Sequence, residues 1–371
     1  MMRALPAFSA LWTRGRLRSR IPAFFLHAAF PACIASGSLL LICGSAARAQ
    51  STSATTWTVS IVLPPRLVAG QPATLAVLGV DGRLAQGITV DVGKGQRVKT
   101  DKTGRAFFTA PTDAPVLIAT AAGDSTAALI DAPTTGSGAQ GAVVAPVVSE
   151  VDRFSVCGGG FRGDVDANRV SINSERAFVL ASSPECIVVV ASPRALPGPA
   201  KLSIEAPGAQ WTAATTLASL HFDPPLPPLV PEKRSKLALH VQGTDQAVRV
   251  WVENQTPGVL RFLRVDRQEV LTSGGAQNSA EIEVQAIATG DFSFHGRILA
   301  PPDAGVARRY LTAAEGIAPK DLQHEVKNLV DRLTHHPDDT QKVWRDMEVI
   351  LSTTMAGDFR TLMSSAAAAL Q

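Results

Sequence analysis

Aromatic side chains are scarce in this chain, making up 5% of 371 residues, with five Trp and a single Tyr. A surface that reads its ligand through a row of stacked rings is therefore excluded, and any aromatic contact must rest on one or two residues. Charged residues are also few, at 18%, below the ~25% of an average soluble protein. Four cysteines are too few for a disulfide-built scaffold of this length. No Gly-x-Ser-x-Gly elbow, His-Glu-x-x-His helix, phosphate loop or dinucleotide-binding glycine motif occurs. The spacings that place a nucleophile, a zinc-bound water or a cofactor phosphate are thus missing. The expectation is a chain that is not an enzyme and takes no cofactor.

What is present begins with an export signal. Arg3, Arg14, Arg16, Arg18 and Arg20 form a basic stretch without an acid, followed by an apolar run from Ile21 to Cys43 and the small-x-small ending Ala47-Arg48-Ala49. This order predicts a signal peptide over residues 1–49, cleaved before Gln50. Retention as a membrane anchor is the alternative, since the apolar run is long enough to span a bilayer. The first 49 residues carry six arginines and no acid, so the remainder has 29 basic against 32 acidic residues, a net of −3. The +3 of the whole chain belongs to the targeting segment, and no nucleic-acid footprint is left. The predicted location is the periplasm, cell surface or extracellular space.

Cleavage removes Cys33 and Cys43 and leaves Cys157 and Cys186. In an oxidising compartment these two are expected to form a disulfide. The closed loop of about 30 residues gives about 3–4 kcal/mol in the chain-entropy description.

The rest divides into β-rich modules separated by turn and linker signals. Trp57–Val62, Ala73–Leu78, Ile88–Val92 and Val116–Ala119 read as strands, with turns at Asp81-Gly82 and Thr103-Gly104. Residues 134–142 are Gly/Ser-rich and read as a flexible linker, and 224–232, containing Pro224-Pro225-Leu226-Pro227-Pro228, as a stiff one. Between 233 and 300, Leu237-x-Leu239-x-Val241, Val248-x-Val250-x-Val252 and Ile282-x-Val284-x-Ala286 alternate with period two. Gly290-Asp291-Phe292-Ser293-Phe294 supplies a further strand. The fold class is mainly β: tandem immunoglobulin-like β-sandwiches over 50–133, 143–223 and 233–300, with a C-terminal α-helical module over 303–371.

Two of these modules carry resemblances. Pro64-Pro65, Val68-Ala69-Gly70, Asp81-Gly82 and Gly104 before Phe107-Phe108 resemble bacterial Ig-like surface-protein repeats. Val156-x-Gly158-x-Gly160-Phe161, Asn168-x-Val170-x-Ile172, Ile187–Val189 and Pro197–Ile204 resemble an IPT/TIG domain. The second likeness implies a compact Ig-like sandwich used for binding and spacing, with Phe161 in the core.

Beyond Pro301-Pro302 the period changes. Leu322, Val326, Leu329, Val330 and Leu333 lie on one helical face, Val343, Met347, Ile350 and Leu351 on a second, and Phe359, Leu362, Met363 and Ala366 on a third. Three short helices make a small core, so the tail is expected to dock on the third sandwich or on a partner.

Candidate contact residues are Trp251 and Arg249. Trp251 lies on the strand face opposite Val250 and Val252, beside Arg249 and Glu253, where it serves either a ligand or a covering helix. Trp57 and Trp211 read as core or rim residues. His324, His335, His336, Asp338 and Asp339 have no metal-ligand spacing, and Asp152, Asp164 and Asp166 lack a calcium loop; no metal site is assigned. The whole reads as an exported, non-catalytic binding, adhesion or spacing protein of the bacterial envelope. A carbohydrate-binding accessory protein, or an enzyme whose site forms between modules, is the alternative. The expected partner is an envelope protein or glycan.

Overall fold

The computed structural model describes residues 59–133, 141–223, 232–256, 258–262, 267–288 and 292–371. The signal segment, Trp57 and most of both linkers lie outside the described residues.

The chain is mainly β, built as tandem immunoglobulin-like sandwiches ending in helices. The first contains β1 (Val59–Val62), β2 (Arg66–Val68), β3 (Pro72–Gly79), β4 (Thr89–Asp91), β5 (Arg97–Lys99), β6 (Arg105–Thr109), β7 (Val116–Ala121) and β8 (Asp124–Asp131). β1, β3 and β6 form one sheet and β2-β8-β7-β4-β5 the other. Leu67, Leu75, Val77, Val90, Phe108 and Leu117 fill the space between them. β3 alternates as the pleat requires: Ala73, Leu75 and Val77 point into this core, and Thr74 and Ala76 point away.

The second sandwich has β9 (Val143–Val144), β10 (Val147–Ser149), β11 (Arg153–Cys157), β12 (Arg169–Ile172), β13 (Glu175–Arg176), β14 (Phe178–Ser182), β15 (Cys186–Val190), β16 (Gly198–Ala206) and β17 (Ala209–Phe222). After β11 the chain turns on Gly158, Gly159 and Gly160, all at positive φ (146°, 83° and 80°), where other residues are strained. The turn drops Phe161 into the core, 3% exposed, with its ring 5.2 Å from that of Trp211. A Cβ on Gly160 would stand 2.7 Å from the Trp211 ring, so the glycine admits the indole.

Cys157 and Cys186 are cross-strand partners on β11 and β15 and form a disulfide, with Cα atoms 4.1 Å apart. The Gly158 amide donates to the Glu185 carbonyl, which puts the cysteine pair at the neighbouring non-hydrogen-bonded position, where strands approach closest. The bond staples two strands of one sheet rather than one sheet to the other.

The first two sandwiches are joined by packing. Thr74 on β3 pairs with Ser182 on β14, so their sheets run together. The Thr74 hydroxyl donates to the Gly163 carbonyl (2.6 Å), the Ser183 hydroxyl to the Arg66 carbonyl (2.6 Å) and Arg105 to the Val179 carbonyl (2.6 Å). Val62, Ala76, Leu180, Ala181 and Val188 form a small buried cluster at the junction.

The third sandwich contains β18 (Arg234–Gln242), β19 (Arg249–Asn254), β20 (Leu260–Phe262), β21 (Arg267–Leu271), β22 (Ser279–Ala286) and β23 (Phe294–Ile298). Its start differs from the sequence expectation. β17 does not stop at the second module: residues 198–206 of β16 pair with 209–217, and then Ser219–Phe222 pair with β18. One strand therefore serves both sandwiches, and the third begins near residue 218 rather than 233. The proline-rich segment lies between two paired strands of the third sandwich and does not separate modules. Leu237, Leu239, Val241, Val250, Val252, Ile282 and Val284 make its core.

The tail holds four helices: α1 (Ala304–Glu315), α2 (Gln323–His335), α3 (Thr340–Thr353) and α4 (Asp358–Leu370). α1 was hidden by its small residues, since its buried face is Ala307, Tyr310, Leu311 and Ala314. Asp303 caps it by accepting from the Val306 amide at 2.8 Å. The docking expectation needs correction as well. The helical core is continuous with Ala127 and Leu129 on the outer face of β8, and Val116 and Ile118 of β7 pack against it. The helices thus dock mainly on the first sandwich.

Polar contacts fix that docking. Asp131 lies between Arg66 (2.8 Å) and Arg309 of α1 (2.7 Å), and Arg309 also donates to the Ile130 carbonyl (3.0 Å). The Tyr310 hydroxyl donates to the Ala127 carbonyl at 3.2 Å. Burial pushes the Tyr310 phenol up to about 12, above its ordinary value near 10. Its contribution to stability is therefore intact below pH ~10 and is lost as pH rises through ~12, about 3 kcal/mol in all. Melting of the helical module between pH 9 and 12 should show this loss in the native chain and not in Tyr310→Phe. An identical alkaline profile for the two would remove Tyr310 as the cause.

Candidate functional site

The sequence singled out Trp251 and Arg249, and the structure puts both on the outer face of the sheet β21-β19-β23. Val248, Val250 and Val252 of β19 face the core. Period two therefore turns Arg249, Trp251 and Glu253 outward. The cross-strand partners of Trp251 are Glu269 on β21 and Arg297 on β23. One indole is thus set among carboxylates and guanidinium groups.

Neighbouring side chains orient the members of this face. Arg249 is held by Glu269 through two hydrogen bonds, of 2.6 and 3.3 Å. This fork geometry is the strong form of a carboxylate pair, and both partners are largely shielded, at 23% and 21% exposure. The Trp251 Nε1–H donates to Glu253 at 3.0 Å, which fixes the plane of the indole.

The face is covered. Trp251 is 4% exposed and meets Trp344 of α3 edge-on, with ring centroids 6.1 Å apart and an interplanar angle of 86°. Beside this pair, Arg297 donates to Gln371, the residue after α4, at 3.2 Å. A T-shaped aromatic pair is worth about 0.5–1.5 kcal/mol and a single exposed hydrogen bond about 1 kcal/mol. Two donors at this seam, Nη1 of Arg249 and Nε1 of Trp344, are buried with no acceptor, and each such group costs about 1–3 kcal/mol. The polar terms here offset one another. The grip of the helices on the first sandwich, by contrast, is an extended apolar core. The helical core is continuous with the first sandwich, and α3 meets the third at this seam.

The other residues considered from sequence are not brought together. Trp211 sits in the second core. His335 ends α2 and His336 caps it, while Asp339 in the following turn pairs with Lys342 at 3.1 Å. His324 lines a shallow recess of about 690 Å³ with Lys320 and Lys327. Asp164 caps a short turn, and Asp166 lies 3.4 Å from Arg105. Arg105 is itself sunk against the Phe178 ring, 4.7 Å from its centroid, and burial lowers its pKa. A second recess, of about 440 Å³, lies between the end of the first sandwich and the α3–α4 loop; it is lined by Asp91, Arg97, Ser125 and Asp358 among others. Sequence reasoning did not foresee Trp344, because its partner lies 93 positions away and nothing local marks it.

No protein-family model matches the chain, and no curated protein does. Solved structures with matching segments include SGBP-B of the Bacteroides ovatus mixed-linkage glucan utilization locus, in complex with a mixed-linkage heptasaccharide. The identity is 9%, covering 63% of this chain and 72% of that one, with a TM-score of 0.23. The I9–I11 tandem of titin matches at 9% identity over 65% of this chain and 94% of that one, with a TM-score of 0.17. Immunoglobulin domains 1–4 of Sidekick-1 match at 13% identity over 65% and 74%, with a TM-score of 0.21. At such scores the likenesses carry no weight for function.

Proposed function

We propose that this chain is an exported, non-catalytic binding protein of the bacterial envelope, its second sandwich an IPT/TIG-like module. The observation that supports binding over passive spacing is the seam at Trp251. A spacer needs only end-to-end junctions between its modules. Here the C-terminal helices fold back onto the first sandwich and also set Trp344 against a Trp, Arg and Glu face of the third. That arrangement brings a chemically distinctive surface to a module boundary, where ligand sites concentrate. The Cys157–Cys186 bond supports an oxidising compartment.

Cell fractionation with intact-mass measurement tests this reading. The expected product is periplasmic or extracellular, lacks residues 1–49 and contains no free thiol. It should bind an envelope component and leave that component chemically unchanged. A cytoplasmic product that keeps residues 1–49 and has all four cysteines as free thiols would overturn the proposal. The carbohydrate-binding reading is the more specific version, and the chemistry around Trp251 favours it.

A further inference from the structure

We propose that the seam between the third sandwich and α3 is a saccharide clamp, with Trp251 and Trp344 as its two jaws, held shut in this structure. The inference rests on the reading of the chain as a binding protein and adds the ligand class and the way access is controlled.

Three observations converge on it. The first is chemical. Trp251 presents an indole on a flat sheet face, with Glu269 and Arg297 at its cross-strand positions and Arg249 and Glu253 along its own strand. A sugar ring offers a C–H face that stacks on an indole, and hydroxyl groups around its rim that pair with carboxylates and guanidinium groups. A stable protein partner would need a contact of about 800 Å² per side, and a single ring ringed by charges does not supply it.

The second observation is the state of the hydrogen bonds. Nη1 of Arg249 and Nε1 of Trp344 are buried donors without acceptors. Native structures rarely leave such groups unpaired. Arg249 lies two residues before Trp251 on the same outward face of β19, and Trp344 is the ring packed against Trp251. Hydroxyl and ring oxygens of a saccharide are the acceptors this seam lacks.

The third is mechanical. The helical module is anchored on the first sandwich by its extended core, and the first and second sandwiches are locked by the shared sheet and buried junction. The third sandwich joins this body through β17 and the adjacent β10, whose Val147 is buried in the third core, and through the exposed, irregular residues Ala300, Pro301 and Pro302 before α1. It also meets the helices, the Trp pair and the Arg297–Gln371 hydrogen bond being among the contacts. A small rotation of the third sandwich about the paired strands β10 and β17 parts the jaws, a hinge motion of the ordinary kind.

The test is calorimetry of the exported full chain with hexasaccharides of β-linked glucose, xylose, mannose and N-acetylglucosamine. At least one is expected to bind and to change Trp fluorescence. Trp251→Ala and Trp344→Ala should each weaken that binding by about tenfold or more. Gln371→Ala removes one closing hydrogen bond without touching either jaw, and should tighten binding by up to about fivefold by raising the open population. Should Trp344→Ala fail to fold, Trp344→Phe retains a stacking ring and is expected to keep most of the affinity. No binding by any hexasaccharide overturns the proposal, as does binding indifferent to Trp251→Ala. Unchanged affinity in Gln371→Ala overturns the closed clamp. Capture of an envelope protein that depends on Trp251, without saccharide binding, overturns the ligand class and leaves the envelope-binding reading standing. A cytoplasmic protein would defeat that reading itself.

Discussion

Deleting residues 303–371 is expected to destabilise the first sandwich and largely spare the third. The helices cover the outer face of β7 and β8, where Ala127 and Leu129 are buried and Val116 and Ile118 partly so. Burying a large aliphatic side chain is worth about 1.5–3 kcal/mol, so uncovering this face costs the first sandwich about 3–6 kcal/mol. Asp131 loses Arg309 as well, which leaves it with Arg66. The third sandwich loses the cover over Trp251 and the Arg297–Gln371 hydrogen bond, with no shared apolar core of the size seen on β7 and β8 among the described residues. Hydrogen exchange on the truncated chain should therefore show faster exchange across residues 116–131, with 234–242 and 279–286 little changed. An exposed β7–β8 face is also a sticky one, so the truncated chain should associate at concentrations where the full chain does not. Loss of protection in the third sandwich instead would show that the helices support it and not the first.

Replacing both cysteines, as Cys157→Ser with Cys186→Ser, is expected to cost about 3–4 kcal/mol, from the entropy returned to a loop of 29 residues. Cys186 is fully buried, so its serine also leaves a hydroxyl in an apolar site and adds to the loss. The effect should reach beyond the second sandwich. β15 lies between β11 and β14, and β14 carries Ser182, the partner of Thr74 in the first. Urea unfolding should show the midpoint of the first two sandwiches falling together. Independent transitions, with the first unmoved, would mean the junction at Thr74 and Gly163 transmits little. Reduction of the native chain should reproduce the cross-link part of this loss without the added cost of the buried serine hydroxyl.

How far the fold was legible depended on the character of each strand. Leu237, Leu239 and Val241 alternate with Ala238 and His240, so β18 has one covered face and one solvated, and it reads as such. β8 is different: Ala127, Ala128, Leu129 and Ile130 are all buried. A continuous apolar run means a strand covered on both sides, and so does Val116–Ala119 in β7. Those two runs were the sign in the sequence that the outer face of this sheet is covered. The pattern announces that a second cover exists but cannot name the cover, because the helices lie some 180 positions downstream. The triplet Val250-Trp251-Val252 carries the same message on a smaller scale, and Trp344 is its answer.

Local chemistry settled what local chemistry can. The strand periods, the glycine turn before Phe161, the pairing of two remaining cysteines and the helical spacing after Pro302 each depend on residues a few positions apart or on a choice with one outcome. The proline-rich segment misled because stiffness is a property of a segment, whereas its place in the fold depends on which strands flank it. β17 and β18 pair across it. The shared strand, the folding-back of the helices onto β7 and β8, and the meeting of Trp251 with Trp344 were decided only in three dimensions. Each requires surfaces distant in sequence to exclude water together, and the free energy of that exclusion belongs to the pair of surfaces and is written in neither one alone.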